Sequence, residues 1–91
     1  MPYKLIITES YFKKAKRFFK KHPEVLDRYE KAMVLLQYNP HHPSLRPHKL
    51  QGKLCDYYSI SFTMKYRVVI DFVIGDEMIT PIDIGTHDDV Y

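Results

Sequence analysis

The sequence predicts an α+β fold: an N-terminal helical hairpin on one face of a mostly antiparallel sheet, in the order β-α-α-β-β-β. Three observations predict it. Between residues 9 and 38 apolar side chains recur every three or four positions, the spacing of a buried helix face. After Gly52 the period drops to two, the spacing of strands. The connections are short, so consecutive elements lie side by side.

Tyr3-Lys4-Leu5-Ile6-Ile7 is short and apolar, as a strand is. Thr8 or Ser10 supplies a helix cap, with Glu9 beside the positive N-terminus. In that helix Phe12, Ala15, Phe18 and Phe19 form the core face. Lys13, Lys14, Lys16, Arg17, Lys20 and Lys21 form the other. His22-Pro23 ends the helix, because the residue before proline avoids the α region. A second helix is expected over about residues 24–38, with Val25, Leu26, Tyr29, Ala32, Met33 and Leu36 as its buried stripe. Asn39-Pro40 then opens a loop through His48, and Pro40, Pro43 and Pro47 argue against regular structure in it.

Tyr58, Ile60 and Phe62 alternate with Tyr57, Ser59, Ser61 and Thr63. Met64-Lys65 connects tightly to a strand over residues 66–73. There Tyr66, Val68, Ile70 and Phe72 share one face, and Arg67, Val69 and Asp71 share the other. Antiparallel pairing places Arg67 beside Ser59 and Ser61 in an open polar groove, with Lys65 at the rim. Alternatively Arg67 pairs with Asp71 or Asp83. Gly75-Asp76 turns the chain into a last strand over residues 77–84, in which Pro81 demands a bulge or an unpaired edge position. The sheet face away from the helices is left open for a ligand.

Ninety-one residues, 45% of them apolar, make one small folded domain rather than a disordered chain. No apolar run approaches the roughly 18 residues of a membrane span, and Met1-Pro2-Tyr3-Lys4 lacks the apolar stretch of a signal peptide. The single cysteine, Cys55, cannot form an internal disulfide, which suits a reducing cytoplasm and a filler role. His41, His42, His48 and His87 match no zinc spacing, so no metal or other cofactor is expected. Charge is segregated. Residues 1–53 carry 12 Lys/Arg against 4 Asp/Glu, and residues 54–91 carry 2 against 7. The basic half is either a solvated helix face or a surface that meets a polyanion.

Three segments in this order carry a resemblance: His48-Lys49-Leu50-x-Gly52, Tyr66-Arg67-Val68-Val69, and Ile84-Gly85-x-His87-x-x-Val90-Tyr91. Together with the β-α-α-β-β-β pattern they resemble the RelE/ParE toxin superfamily of type II toxin–antitoxin systems, and most of all its RelE/YafQ-like branch of ribosome-dependent mRNA endonucleases. The resemblance implies a metal-independent endoribonuclease that enters the ribosomal A site and cuts mRNA there. It also implies a cognate antitoxin that silences the chain. By the same resemblance Arg67 contacts the scissile phosphate, His48 and His87 are catalytic, and Tyr91 stacks on an A-site base. Arg46, Lys49, Lys53, Ser59, Ser61 and Lys65 are the candidate RNA-binding residues around them. The chain departs from the pattern at Ser59 and Ser61, where RelE has paired lysines, and at Asp88 and Asp89, where an Arg often follows the final Gly. YafQ has a further His and an Asp where this chain offers Ser61 and Lys65. The same fold serves ParE-like poisons of DNA gyrase, and an inactive homologue would still bind antitoxin. Both alternatives stay open.

The residues suit the implied chemistry. RNA carries its own nucleophile, the 2′-OH, and cleavage needs one proton removed, one delivered, and charge on phosphorus stabilised. Imidazole ordinarily titrates near neutrality and serves either proton role, and a guanidinium stabilises the phosphate. His48 and His87 are thus a base and an acid in either order, Arg67 is the electrostatic group, and the product is a 2′,3′-cyclic phosphate. The expected partners are the antitoxin, mRNA and the ribosome, with 16S rRNA met by the basic stripe of the first helix. No membrane is expected, and the free chain is expected to be a monomer.

Overall fold

The first helix, α1 (Glu9–Lys21), begins at its predicted cap: Thr8 is extended and its hydroxyl accepts the Tyr11 N–H at 3.1 Å. Glu9 in its first turn and Lys20 and Lys21 in its last complement the helix dipole. The helix stops before His22, and Pro23 opens a 3₁₀ turn, Pro23–Val25, that leads into α2 (Leu26–Tyr38). The second helix therefore starts with a tighter turn than its apolar spacing predicts, with proline at a first position that needs no N–H. In this computed structural model residues 2–50, 57–73 and 77–86 are described.

The sheet has strands β1 (Lys4–Leu5), β2 (His48–Lys49), β3 (Tyr58–Ser61), β4 (Tyr66–Val73) and β5 (Met78–Thr86) in the spatial order β1-β5-β4-β3-β2. Only β1 runs parallel to its neighbour, β5; the other pairs are antiparallel. The fold class is the one predicted, with one more strand. His48, read as the end of a loop, and Lys49 after it pair with Ser59 and Tyr58 and form the far edge. The proline-rich stretch is also more regular than its composition suggests. Pro43–Leu45 makes a 3₁₀ turn capped by His42, whose Nδ1 accepts the Ser44 N–H at 3.1 Å, and Leu45 is buried beneath it.

Pro81 is accommodated by two devices. Ile70 pairs with Pro81 but Val69 pairs with Asp83, so Ile82 is an extra residue and β5 bulges there. On the other side β1 pairs with β5 only as far as Ile79, so no neighbour asks Pro81 for an N–H.

The core lies between the helices and one sheet face. Ile60, Phe62, Tyr66, Val68 and Ile70 pack against Tyr11, Ala32, Met33 and Leu36, as the strand parity predicts. Two helix positions differ from expectation. Ala15, Phe18 and Phe19 pack on the core as predicted, but Phe12 is 58% exposed and Tyr11 completes that face in its place. The buried phenol is tolerated because its hydroxyl lies 2.7 Å from that of Tyr29. Leu26, the first residue of α2, is exposed rather than buried. The opposite face is not wholly open. Leu50 and Val69 are buried there with Tyr57 and Ile82 packed against them, because the Leu50 N–H bonds back to the Tyr57 carbonyl at 2.9 Å.

Burial, first of all, raises the Tyr11 phenol well above its ordinary value, and burial also raises that of Tyr29, against the lowering effect of its hydrogen bond with Tyr11. Tyr11 stays neutral in the fold, so the stability tied to these raised phenols is intact below about pH 10 and is lost as pH rises above it. Each such group is expected to weaken folding by about 1.4 kcal/mol per pH unit there. Urea midpoints from pH 8 to 11, compared with Tyr11→Phe, check this: the variant is expected to show the shallower alkaline decline.

Candidate functional site

Arg67 lies on the sheet face away from the helices, opposite Ser61 on β3 and Gly85 on β5. Its half-buried guanidinium is held by two hydrogen bonds. Nε donates to Ser59 Oγ at 3.0 Å and Nη2 donates to the Arg46 carbonyl at 2.9 Å. Ser59 is fully buried, so its hydroxyl serves to orient Arg67 rather than to meet solvent. Arg46 supplies its carbonyl from a left-handed conformation, φ 48° and ψ 56°, immediately after the Pro43–Leu45 turn. A non-glycine residue so placed costs on the order of 1–3 kcal/mol, and here it aims a carbonyl at the Arg67 guanidinium.

His48 enters the same face from β2. It is the cross-strand partner of Ser59, which puts it on the flank of Ser59 opposite Arg67. His48 and the Arg46 side chain are exposed. The arrangement joins a titratable imidazole and a permanently charged, oriented fork of N–H donors over one buried hydroxyl. Such a pair can accept or give a proton on one side of a phosphodiester and neutralise it on the other.

The other predicted site residues divide. Ser61 is buried beside Arg67 in the ladder, so neither serine floors an open groove as expected. Lys49 is exposed but pairs with Tyr58, whose side chain packs with the helices, so the structure does not bring it to Arg67. Lys65 lies in the β3–β4 turn with Nζ 5.4 Å from the centre of the Tyr66 ring, again on the helix side. Asp83 is 3.9 Å from Lys14 Nζ and accepts the Ile84 N–H at 2.9 Å. His87, Tyr91, Lys53 and Cys55 lie outside the described residues.

Two features escaped the sequence reading. The role of the Arg46 carbonyl depends on a backbone conformation that arginine does not advertise; the prolines around it are the only hint. A second basic cleft, on the helix side, joins Lys14, Arg17 and Lys21 of α1 to Lys65 around His22. The basic stripe of α1 was read from the sequence; what escaped is its meeting with Lys65 and His22, which are distant in the chain.

Among the described residues no three His, Cys, Asp or Glu side chains gather as a metal site, and no helix is long and apolar enough to cross a membrane. No protein-family model and no curated protein matches the sequence. Solved structures match it over nearly its whole length. YafQ from E. coli strain BL21(DE3) superposes with TM-score 0.79 at 16% identity, over 98% of each chain. The YoeB/ParE toxin from Agrobacterium tumefaciens gives 0.75 at 18%, over 92% of this chain and 98% of that one. The E. coli DinJ-YafQ toxin-antitoxin complex gives 0.78 at 18%, over 100% and 99%. The chain thus has the RelE/ParE-like toxin fold that its sequence resembles.

Proposed function

We propose that this chain is the toxin of a type II toxin–antitoxin system and cleaves mRNA on the ribosome without a metal. The observation that carries the reading is the pairing of His48 with Ser59, whose hydroxyl in turn anchors Arg67. The likeness in fold to YafQ and YoeB toxins supports it.

In this reading one histidine, His48 or His87, takes the 2′-OH proton, and the 2′-oxygen attacks the adjacent phosphorus. The bond from phosphorus to the 5′-oxygen breaks, and the other histidine protonates that oxygen. The products are a 2′,3′-cyclic phosphate and a 5′-hydroxyl. Arg67 stabilises charge on the pentacoordinate phosphorus, held at the correct angle by Ser59 and the Arg46 carbonyl. Tyr91 stacks on a base. Arg46, Lys49, Lys53 and Lys65 meet phosphates at longer range, and the basic residues of α1 meet 16S rRNA. A cognate antitoxin partners the chain in the cytoplasm, as DinJ partners YafQ.

End-group analysis of RNA recovered after brief induction tests the chemistry. Fragments are expected to resist direct 3′-adapter ligation and to become ligatable after the cyclic phosphate is opened and removed. Fragments with free 3′-hydroxyl ends would contradict 2′-OH attack.

A further inference from the structure

The helix-side cleft takes no part in the proposed bond-breaking, though Lys65 and the α1 cations that line it are among the residues proposed above to meet RNA. It encloses about 470 Å³. Lys14, Arg17 and Lys21 line it from α1, and Lys65 faces them from the β3–β4 turn. Its back wall is aromatic and well ordered by contact. The rings of His22, Phe18 and Tyr66 form a triangle, with His22 4.8 Å from Phe18 and 5.1 Å from Tyr66 and those two 5.0 Å apart, and the Tyr66 hydroxyl is 3.3 Å from His22 Nδ1.

The charges of this cleft are unbalanced. Outside the cleft Lys13 is neutralised by Glu9 at 3.3 Å and Lys31 by Asp27 at 3.1 Å, whereas Lys16 and Lys20, also on α1, have no carboxylate partner among the described residues. Among the described residues the one carboxylate lining the cleft, Asp83, approaches Lys14 at 3.9 Å. Arg17, Lys21 and Lys65 have no carboxylate partner among the described residues. Gathering like charges without counterions opposes folding, and a bound polyanion relieves that repulsion. The three α1 cations span eight residues, Lys14 to Lys21, about 10 Å of helix. A row of that length suits successive charges on a chain better than one compact anion.

We propose that this cleft binds backbone phosphates of single-stranded RNA. Its position connects it to Arg67. Tyr66 and Arg67 are consecutive on β4 and so face opposite sides of the sheet, and the β3–β4 turn carrying Lys65 lies at the same end. A strand engaged by Arg67 can pass around that turn into the cleft. The inference rests on the RNA-cleaving reading for its choice of polyanion.

The test is binding of a short 2′-O-methyl oligoribonucleotide, followed by fluorescence anisotropy across a salt series. The chain is compared with Lys14→Gln/Arg17→Gln/Lys21→Gln, whose fold is checked by thermal melting. Loss of three phosphate contacts from a single strand is expected to flatten the log–log salt slope by about 2 and to weaken binding at least tenfold at low salt. An unchanged slope, or no binding by the unmodified chain, overturns the proposal. ATP and inorganic pyrophosphate serve as competitors. If the triple variant loses affinity for them while its oligonucleotide binding is unchanged, the cleft is a small-molecule phosphate site and the RNA assignment is overturned. The probe has no 2′-OH to react, so failure of the nuclease reading leaves this result standing on its own.

Discussion

Arg67→Ala is expected to reduce mRNA cleavage by at least about 10²-fold, the usual cost of losing one preorganised donor to developing charge. The side chain is not a loose surface cation. Its Nε and Nη2 are committed to Ser59 and to the Arg46 carbonyl, so the guanidinium plane is set before RNA arrives. Arg67→Lys separates charge from geometry. An ammonium keeps the charge but cannot reproduce a planar fork with two fixed donors, so it is expected to restore only a small part of the rate. Single-turnover cleavage on programmed ribosomes measures both, with thermal melts run alongside because Ser59 is buried and loses its Arg67 partner. Near-native cleavage by a folded Arg67→Ala protein would remove this residue from the chemistry.

Leu36→Ala is expected to lower folding stability by about 2–5 kcal/mol. Leu36 is wholly buried where α2 meets the sheet, in the cluster formed by Tyr11, Met33, Ile60 and Val68. Small domains have only about 5–15 kcal/mol in total, so this one change removes a large share of it. Val34, two residues away on the same helix, is 55% exposed, and Val34→Ala is expected to stay within about 1 kcal/mol of the parent. Urea unfolding of the two variants measures the contrast. Equal effects would mean that α2 does not pack on the sheet through Leu36.

The helices and the three longer strands were legible because their apolar side chains report which face is buried. The parity of β4 alone places Tyr66, Val68 and Ile70 inward and Arg67 outward. On α1 the core positions Ala15, Phe18 and Phe19 were read correctly, but Phe12 was placed inside instead of Tyr11, because hydrophobicity favours phenylalanine inside. What decided it was a hydroxyl pair with Tyr29, a long-range partner that no local pattern shows. Strand β2 was missed since two exposed residues make no periodicity; pairing with β3 creates it. At the candidate site Arg67 and His48 were read from motif and resemblance. The burial of Ser59 and Ser61 was not, because serine is equally at home in solvent or under a guanidinium. The Arg46 carbonyl was invisible for a plainer reason: it is backbone, and its direction depends on a left-handed φ.

The nuclease reading is tested most directly by primer extension on a reporter mRNA after brief induction of the chain, His48→Ala and Arg67→Ala. Discrete cuts within translated codons, present with the unmodified chain and lost in both variants, are the predicted result. Growth arrest with intact mRNA, unchanged by either substitution, would contradict it and point to DNA gyrase as the target of the same fold.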